Sequence, residues 1–328
     1  MKYRNFSDLG WRVSEIGLGC WQLGWCWGDP ISDQDAEDII FSALDKGINF
    51  FDTSDTYGDG RSERFLSKIK KITKEKIYIS TKLGRRTRGT KYPKGYKHKP
   101  MEEFIDRSLK NLNTDCIDLL QLHCPSKQIL SDPESYELLD KMVKKGKISH
   151  YGVSVWNISD AMEAIKFKNV KSIQIVFNIF RQKPIDEFLK KAKKNKIAVI
   201  ARGPLASGLL SGKITKETIF PKNDHRNYNI DGDEWDVGDT FSGVNFEKGL
   251  IAVERLRKIV PSYYDLSQLA LKWILQHDEI TLAIPGAVNK FQVEANSKVS
   301  EMTNIDDLMK NIREIYDEII KPDVHHRW

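Results

Sequence analysis

The chain has 328 residues, 40% hydrophobic and 30% charged, with 52 Lys+Arg against 46 Asp+Glu and a net charge of +6. That is ample material for a core, and too balanced a charge for a nucleic-acid binder, which concentrates basic residues and adds a recognition motif not found here. No stretch reaches the eighteen or so apolar residues of a membrane span and the first twenty residues lack a basic head and apolar run. The four cysteines (Cys20, Cys26, Cys116, Cys124) form no Cys-x-x-Cys pair and read as reduced thiols, so a cytoplasmic protein without membrane or nucleic-acid partners is expected.

Apolar runs alternate with helical patterns along most of the chain. Ile16-Gly17-Leu18-Gly19 is the first strand candidate. From Asp33 to Lys46, residues Ala36, Ile39, Ile40, Ala43 and Leu44 recur at i, i+3, i+4, i+7 and i+8, a half-buried helix with Ser32 or Asp33 as cap and Gly47 at its end. A strand at 48–52, a charged helix near 62–71 and a strand at 77–82 follow. Met101 to Leu112 reads as a helix, 117–123 as a strand, Glu134 to Lys145 as a helix stopped by Gly146, and 148–155 as a strand. The alternation continues with helix 161–167, strand 172–177, helix 185–194, strand 197–201, helix 265–276 and strand 281–285. Eight strands separated mostly by helices imply a parallel sheet covered by helices, and at this length a closed (β/α)8 TIM barrel, one domain over 1–328. Two stretches break the rhythm after strand ends: 84–99, with seven Lys/Arg and no acid, and 211–245, rich in Gly, Asp, Asn and aromatics. Both are expected as long loops on the active face. A final helix near 304–320 and the tail to Trp328 look peripheral.

Three of these strands end on ionisable residues: Asp52, Lys82 and His123, with Tyr57 five residues after the first. Charges are rare in buried strands, and in a barrel strand ends meet at the C-terminal rim. Each residue alone has a duller reading, Asp52 as a cap, Lys82 as a surface lysine, Tyr57 as a loop aromatic and His123 as a partner for a backbone carbonyl. Together they suit carbonyl reduction. Tyr57 supplies the proton; a phenol normally titrates near about 10, and a neighbouring ammonium lowers that value. Lys82 is placed for that task, Asp52 keeps Lys82 charged and aimed, and neutral His123 orients the carbonyl oxygen.

Phe51-Asp52-Thr53-Ser54-Asp55-Thr56-Tyr57-Gly58 resembles the Asp-Thr-Ala-x-x-Tyr-Gly segment of the aldo-keto reductases, and Thr81-Lys82 and Leu122-His123 stand where that family has its lysine and histidine. The resemblance runs from Ile16-Gly17-Leu18-Gly19 to Ile284-Pro285-Gly286 and is strongest to the bacterial, archaeal and potassium-channel β-subunit-like branches. It implies a (β/α)8 barrel, a nicotinamide dinucleotide, and the tetrad Asp52, Tyr57, Lys82 and His123. It also implies cofactor contacts at Gly19 and Trp21 after the first strand, and at Ser154 and Gln174 around the carboxamide, although Val155 replaces the family's asparagine. Arg202 replaces the aromatic ring that stacks on nicotinamide, to stack in its place or to bind a phosphate. Gly203, Pro204, Leu205, Ser207, Gly208, Leu210 and Lys213 follow the pattern that wraps the pyrophosphate. At the adenine end Gly286 and Gln292 stand where many members have a lysine and an arginine; Gln292 and Asn296 are one helical turn apart, and Lys290 is nearby. The implied cofactor is NADP, with NAD as the alternative.

A Gly-x-Gly-x-x-Gly fingerprint is absent, and the scattered histidines lack zinc-ligand spacing. Trp21, Trp25 and Trp27 are expected in one loop over the mouth, as a pocket wall or as loop packing, and the basic loop 85–99 reads as a solvated loop or a lip attracting anionic substrates. The expected activity is reduction of a small aldehyde or ketone. Two rivals keep the barrel: a cofactor-binding sensor or regulatory subunit with slow or no turnover, and a Schiff-base enzyme using Lys82, against which the Asp52 pairing argues because it keeps the amine protonated.

Overall fold

An antiparallel hairpin, β1 (Tyr3–Phe6) and β2 (Trp11–Ser14), precedes eight parallel strands in a computed structural model that describes residues 1–24, 28, 31–85, 96 and 98–328. The parallel strands are β3 (Leu18–Gly19), β4 (Phe50–Asp52), β5 (Tyr78–Leu83), β6 (Ile117–His123), β7 (Ile148–Ser154), β8 (Val170–Val176), β9 (Ala198–Arg202) and β10 (Leu282–Ala283). They pair in chain order from β3 to β10. The ring closes through the first segment: Gly17 N donates to Ala283 O at 2.8 Å, Ala283 N to Glu15 O at 3.0 Å and Gly19 N to Pro285 O at 2.9 Å. Gly19 permits this closure, since a Cβ there would lie 2.8 Å from the Ile284 carbonyl oxygen. All eight strands expected from the sequence are present, and the fold is an α/β (β/α)8 barrel.

The hairpin was not legible in the sequence. Its strands have four residues each and bury little beyond Phe6 and Val13. Those two side chains pack against Phe50, Tyr78, Leu119, Ala198, Ile200, Leu282 and Ile284, mostly early residues of their strands, so the hairpin plugs the N-terminal end of the barrel. Phe6 stacks on Phe50 at 5.6 Å and Trp11 on Tyr78 at 4.4 Å. Full burial of an aromatic ring of this kind stabilises by about 1.5–3 kcal/mol. With that end sealed, the C-terminal ends are left for chemistry.

The covering helices follow the sequence pattern with shifted bounds. Helix Asp33–Asp45 buries Ala36, Ile39, Ile40 and Ala43, and the Ser32 side chain accepts from Asp35 N at its start. The charged helix near 62–71 is two short helices, Arg61–Leu66 and Ile69–Ile72. The helix expected at 161–167 is Ile158–Ala164, started earlier by the Asn157 cap, and that expected at 185–194 begins at Phe188. A helix at Phe246–Arg257, capped by Asn245, follows the 211–245 stretch. The last helix runs Asp306–Ile315, widens through Tyr316–Ile320 and ends with Lys321–Val324.

Candidate active site

Asp52 ends β4, Lys82 is the next-to-last residue of β5, His123 ends β6, and Tyr57 lies in the turn after β4. Parallel register sets Asp52 beside Ser80, Lys82 beside Gln121 and His123 beside Ser154, so the residues meet at one rim. Lys82 is 1% exposed, and Nζ bonds Asp52 Oδ1, donates to Thr53 O at 2.8 Å and reaches Tyr57 OH at 3.4 Å. Asp52 Oδ2 accepts from Gln174 Nε2 at 2.8 Å and Gln121 Nε2 at 3.1 Å. Burial works against the Lys82 charge, but Asp52 and Tyr57 outweigh it and hold the ammonium above the ordinary lysine range.

The Tyr57 ring lies edge-on to His123 at 6.3 Å, with the Lys82 ammonium 5.1 Å from its centroid. Burial pushes the phenol above its ordinary value; Lys82 pulls it back without overcoming burial, so the net lowering expected from the sequence does not occur. Two glycines let the backbone cross beneath Tyr57. A Cβ at Gly24 would sit 2.7 Å from the Tyr57 carbonyl carbon, and one at Gly58 (φ +60°) 2.1 Å from Gly24 O.

His123 is held neutral. Burial drives its pKa well below the usual histidine value, and the cations Arg85, Lys82 and Arg202 add to that. Its Nδ1 lies 3.3 Å from Ser54 Oγ, and its carbonyl accepts from Tyr96 OH at 2.9 Å.

The rest of the rim is preorganised. Ser154 Oγ donates to Gln174 Oε1 at 3.3 Å, so Ser154, Gln174 and Asp52 form one chain of bonds. Arg202 pairs with Asp239 at 2.6 Å and donates to Val155 O at 3.2 Å, while Trp156 Nε1 donates to the other Asp239 oxygen at 2.9 Å. This ion pair fixes the guanidinium plane at the end of β9. Among the described residues its Nε is buried without a partner, as is Gln22 Oε1, which a Cβ at Gly286 would meet at 2.3 Å.

Pro204 and Leu210 are buried, Leu205 half-buried, and Gly203 and Lys213 exposed. Ser207 (φ 55°) and Gly208 (φ 93°) adopt left-handed conformations in this turn. Ser207 Oγ donates to Asp239 O at 3.2 Å and accepts from Phe241 N at 3.1 Å, tying the turn to the 211–245 stretch. That stretch also brings His225 to 4.6 Å and Trp235 to 6.4 Å from Trp21. Trp328, far from peripheral, donates from Nε1 to Asp236 Oδ1 at 3.0 Å under the Arg181 guanidinium, and so fastens the loop that carries Asp239.

In the helix Lys290–Lys298, where the adenine end is expected from the sequence, Gln292 is exposed and its Oε1 accepts from Val288 N at 2.9 Å, Asn296 is buried, and Lys290 lies 3.8 Å from Asp38. Trp25, Trp27 and residues 86–95 and 97 of the basic loop lie outside the described residues. Arg85, at the start of that loop, sits 5.0 Å from the Trp156 ring. Among the described residues no group of three or more His, Cys, Asp or Glu side chains is arranged to hold a metal ion, and no helix is long and apolar enough to cross a membrane. Sequence reasoning missed Gln121, Ser54 and Asp239. Gln121 had a signal, two residues before His123 on the same strand face. Asp239 had none, being 37 residues from its partner in an irregular stretch.

The model of the aldo/keto reductase family matches residues 15–317. The chain belongs to the aldo/keto reductase family. Aldo-keto reductase YhdN of Bacillus subtilis (strain 168) is 31% identical over 99% of this chain and 96% of its own. Aldo-keto reductase yakc [NADP(+)] of Schizosaccharomyces pombe is 28% identical over 93% of this chain and 89% of its own. The holo form of an aldo-keto reductase from Bacillus halodurans superposes with a TM-score of 0.76 at 29% identity, covering 96% of each chain. Membership makes this aldo/keto reductase an NAD(P)-dependent oxidoreductase in class.

Proposed function

We propose that the protein reduces a small aldehyde or ketone to its alcohol with NADPH, the whole chain of 1–328 acting as one domain and Tyr57 delivering the proton. The observation that carries this reading is the buried Lys82–Asp52 pair with Lys82 Nζ 3.4 Å from the Tyr57 hydroxyl. Ser154 and Gln174 supply a hydroxyl and an amide to meet a nicotinamide group on one side, and Arg202 Nε and Gln22 Oε1 are buried polar atoms left without a partner among the described residues. When bound, NADPH supplies hydride to the carbonyl carbon. Tyr57 gives its proton to the carbonyl oxygen, and the adjacent ammonium stabilises the phenolate left behind. Asp52, held by Gln121 and Gln174, keeps that ammonium charged and aimed. Neutral His123 donates from Nε2 to the same carbonyl oxygen and orients it, and no described residue hydrogen-bonds that nitrogen. Trp21, Trp235 and Arg85 border the mouth and shape which carbonyl enters.

NADPH is preferred to NADH in this reading because a relative 28% identical carries NADP(+) in its name. The turn at Gly203, Pro204, Leu205, Ser207, Gly208, Leu210 and Lys213, with Gly19, Gly286, Gln292 and Asn296, holds the dinucleotide. Titrating purified protein with NADPH and with NADH, followed by tryptophan quenching, tests the cofactor half. The expected result is NADPH binding at least about tenfold tighter, a difference of about 1.4 kcal/mol. Binding of neither nucleotide overturns the reading.

A further inference from the structure

We propose that Asp55, acting through Ser54, sets the tautomer of His123, so that protonation of a carboxyl behind the site decides whether His123 offers a hydrogen to the substrate carbonyl. This rests on the carbonyl-reduction reading for its consequence, but not for the tautomer itself. Ser54 Oγ is the hub: His123 Nδ1 lies 3.3 Å away, Asp55 Oδ1 3.2 Å, Thr56 Oγ1 3.0 Å, and Thr56 N donates to it at 3.3 Å. A serine hydroxyl has one proton to give and two lone pairs to fill. Thr56 N takes one lone pair, and the Thr56 hydroxyl, a weaker acceptor than a carboxylate or an imidazole nitrogen, gives way to them for the Ser54 proton, so the states of Asp55 and His123 are coupled through what remains.

Ionised Asp55 captures the Ser54 proton, because a charged acceptor binds more strongly than a neutral one. Ser54 Oγ then accepts from His123 Nδ1–H, and Nε2 carries only a lone pair, which repels a carbonyl oxygen. Protonated Asp55 instead donates to Ser54 Oγ, the Ser54 proton turns to His123 Nδ1, and Nε2 carries the hydrogen. Only the second arrangement orients a carbonyl by hydrogen bonding. No covalent step is involved; one proton is gained or lost by Asp55, and His123 stays neutral throughout.

The surroundings favour the protonated form near neutral pH. Asp55 is fully buried and its Oδ2 has no partner among the described residues. Facing it are Glu63, from helix Arg61–Leu66, and Arg107, from helix His98–Leu112; Glu63 is bonded by Thr81 at 2.7 Å and Asn111 at 2.8 Å, and Arg107 is directed to Asp59 at 2.8 Å. Burial, and then the Glu63 charge, push the Asp55 carboxyl up to about 8 against weaker pulls from the Ser54 hydrogen bond and from Arg107. Burial, and then Arg85, Lys82 and Arg202 facing His123, keep the ring from taking a second proton.

Nitrogen-15 NMR of the histidine-labelled protein reads the tautomer directly. In the parent protein His123 is expected to change from the Nε2–H to the Nδ1–H form with a midpoint near pH 8. In Asp55→Asn the side chain has no proton to lose in this range, and with its amide donating to Ser54 His123 stays Nε2–H, with no change of tautomer, from pH 6 to about 9.5. Reductase kcat/KM of the parent should fall about 30-fold between pH 7 and about 9.5, a limb that Asp55→Asn loses. The phenol of Tyr57, pushed above its ordinary value, titrates beyond that limb. Ser54→Ala, which cuts the link with a small change in volume, is expected to abolish the tautomer change if Asp55→Asn does not fold. A single tautomer across the range in the parent protein, or the same change in either variant, overturns the proposal. A protein that shows the tautomer change but reduces no carbonyl contradicts the functional reading instead.

Discussion

Replacing Lys82 by Met removes the one cation bonded to the Asp52 carboxylate among the described residues and tests how the rim is held together. Asp52 is 3% exposed and Lys82 1%, so the pair is dry, and breaking a buried pair by deleting one partner costs about 3–5 kcal/mol. The loss for Lys82→Met sits at the lower end, about 3 kcal/mol, because Gln174 at 2.8 Å and Gln121 at 3.1 Å still bond the stranded carboxylate. Asp52→Leu is worse, about 5 kcal/mol, since among the described residues the ammonium keeps Thr53 O and Tyr57 OH alone and Gln174 Nε2 loses its acceptor, while Gln121 Nε2 retains Ser80 Oγ at 2.7 Å. The double variant should be less unstable than the sum of the two by about 2 kcal/mol or more, because no charge is then stranded. Urea unfolding at pH 7.5, followed by tryptophan fluorescence and far-ultraviolet circular dichroism, measures all three. A Lys82→Met protein within about 1 kcal/mol of the parent, or strict additivity in the double variant, refutes the reasoning.

Other consequences follow from burial and close packing. His225 and His277 are pushed by burial down to about 4, and His123 well below its usual value, so all three stay neutral in the folded chain while the unfolded chain binds their protons below about 6.5. Folded pKa values below unfolded ones mean that the histidine contribution is present above that pH and falls as pH drops toward about 4, by up to about 1.4 kcal/mol per histidine per pH unit. The Asp55 carboxyl, raised to about 8, works the other way with the same limiting slope, so the three histidines outweigh it and the net loss shows mainly between about pH 6.0 and 5.0. Urea midpoints at pH 7.5, 6.0 and 5.0 check this, and a flat profile contradicts it. Gly24→Ala forces a methyl to 2.7 Å from the Tyr57 carbonyl carbon, where backbone rather than a flexible side chain must yield. A displacement of about 1 Å there should lower kcat by about 100-fold, and steady-state kinetics with unchanged rate would show that Tyr57 is not held by this crossing.

The barrel was legible because its strands are short apolar runs ending on unlike residues, and a terminal Asp52, Lys82 or His123 marks an edge as well as a run. Parallel register then places those residues together without further information. The plug was not legible because β1 and β2 present mostly exposed side chains and bury their value in two residues, Phe6 and Val13, whose partners are distant in sequence. The same limit hid Asp239: an ion pair spanning 37 residues of irregular chain leaves no periodic trace. Substitution patterns at Val155 and Arg202 were visible, but not that Arg202 is locked by Asp239 and by the Val155 carbonyl, two contacts that fix its plane. The direction of the Tyr57 shift was misjudged because proximity of an ammonium was readable from the sequence while the depth of burial was not.

The central claim is that Tyr57 delivers the proton, and Tyr57→Phe tests it most directly. The ring remains to pack against His123 and the Lys82–Asp52 pair keeps its bond, so only the hydroxyl is lost. Carbonyl-dependent NADPH consumption is expected to fall by about 100-fold to 10,000-fold, with NADPH affinity within about threefold of the parent. Turnover at the parent rate would contradict the account.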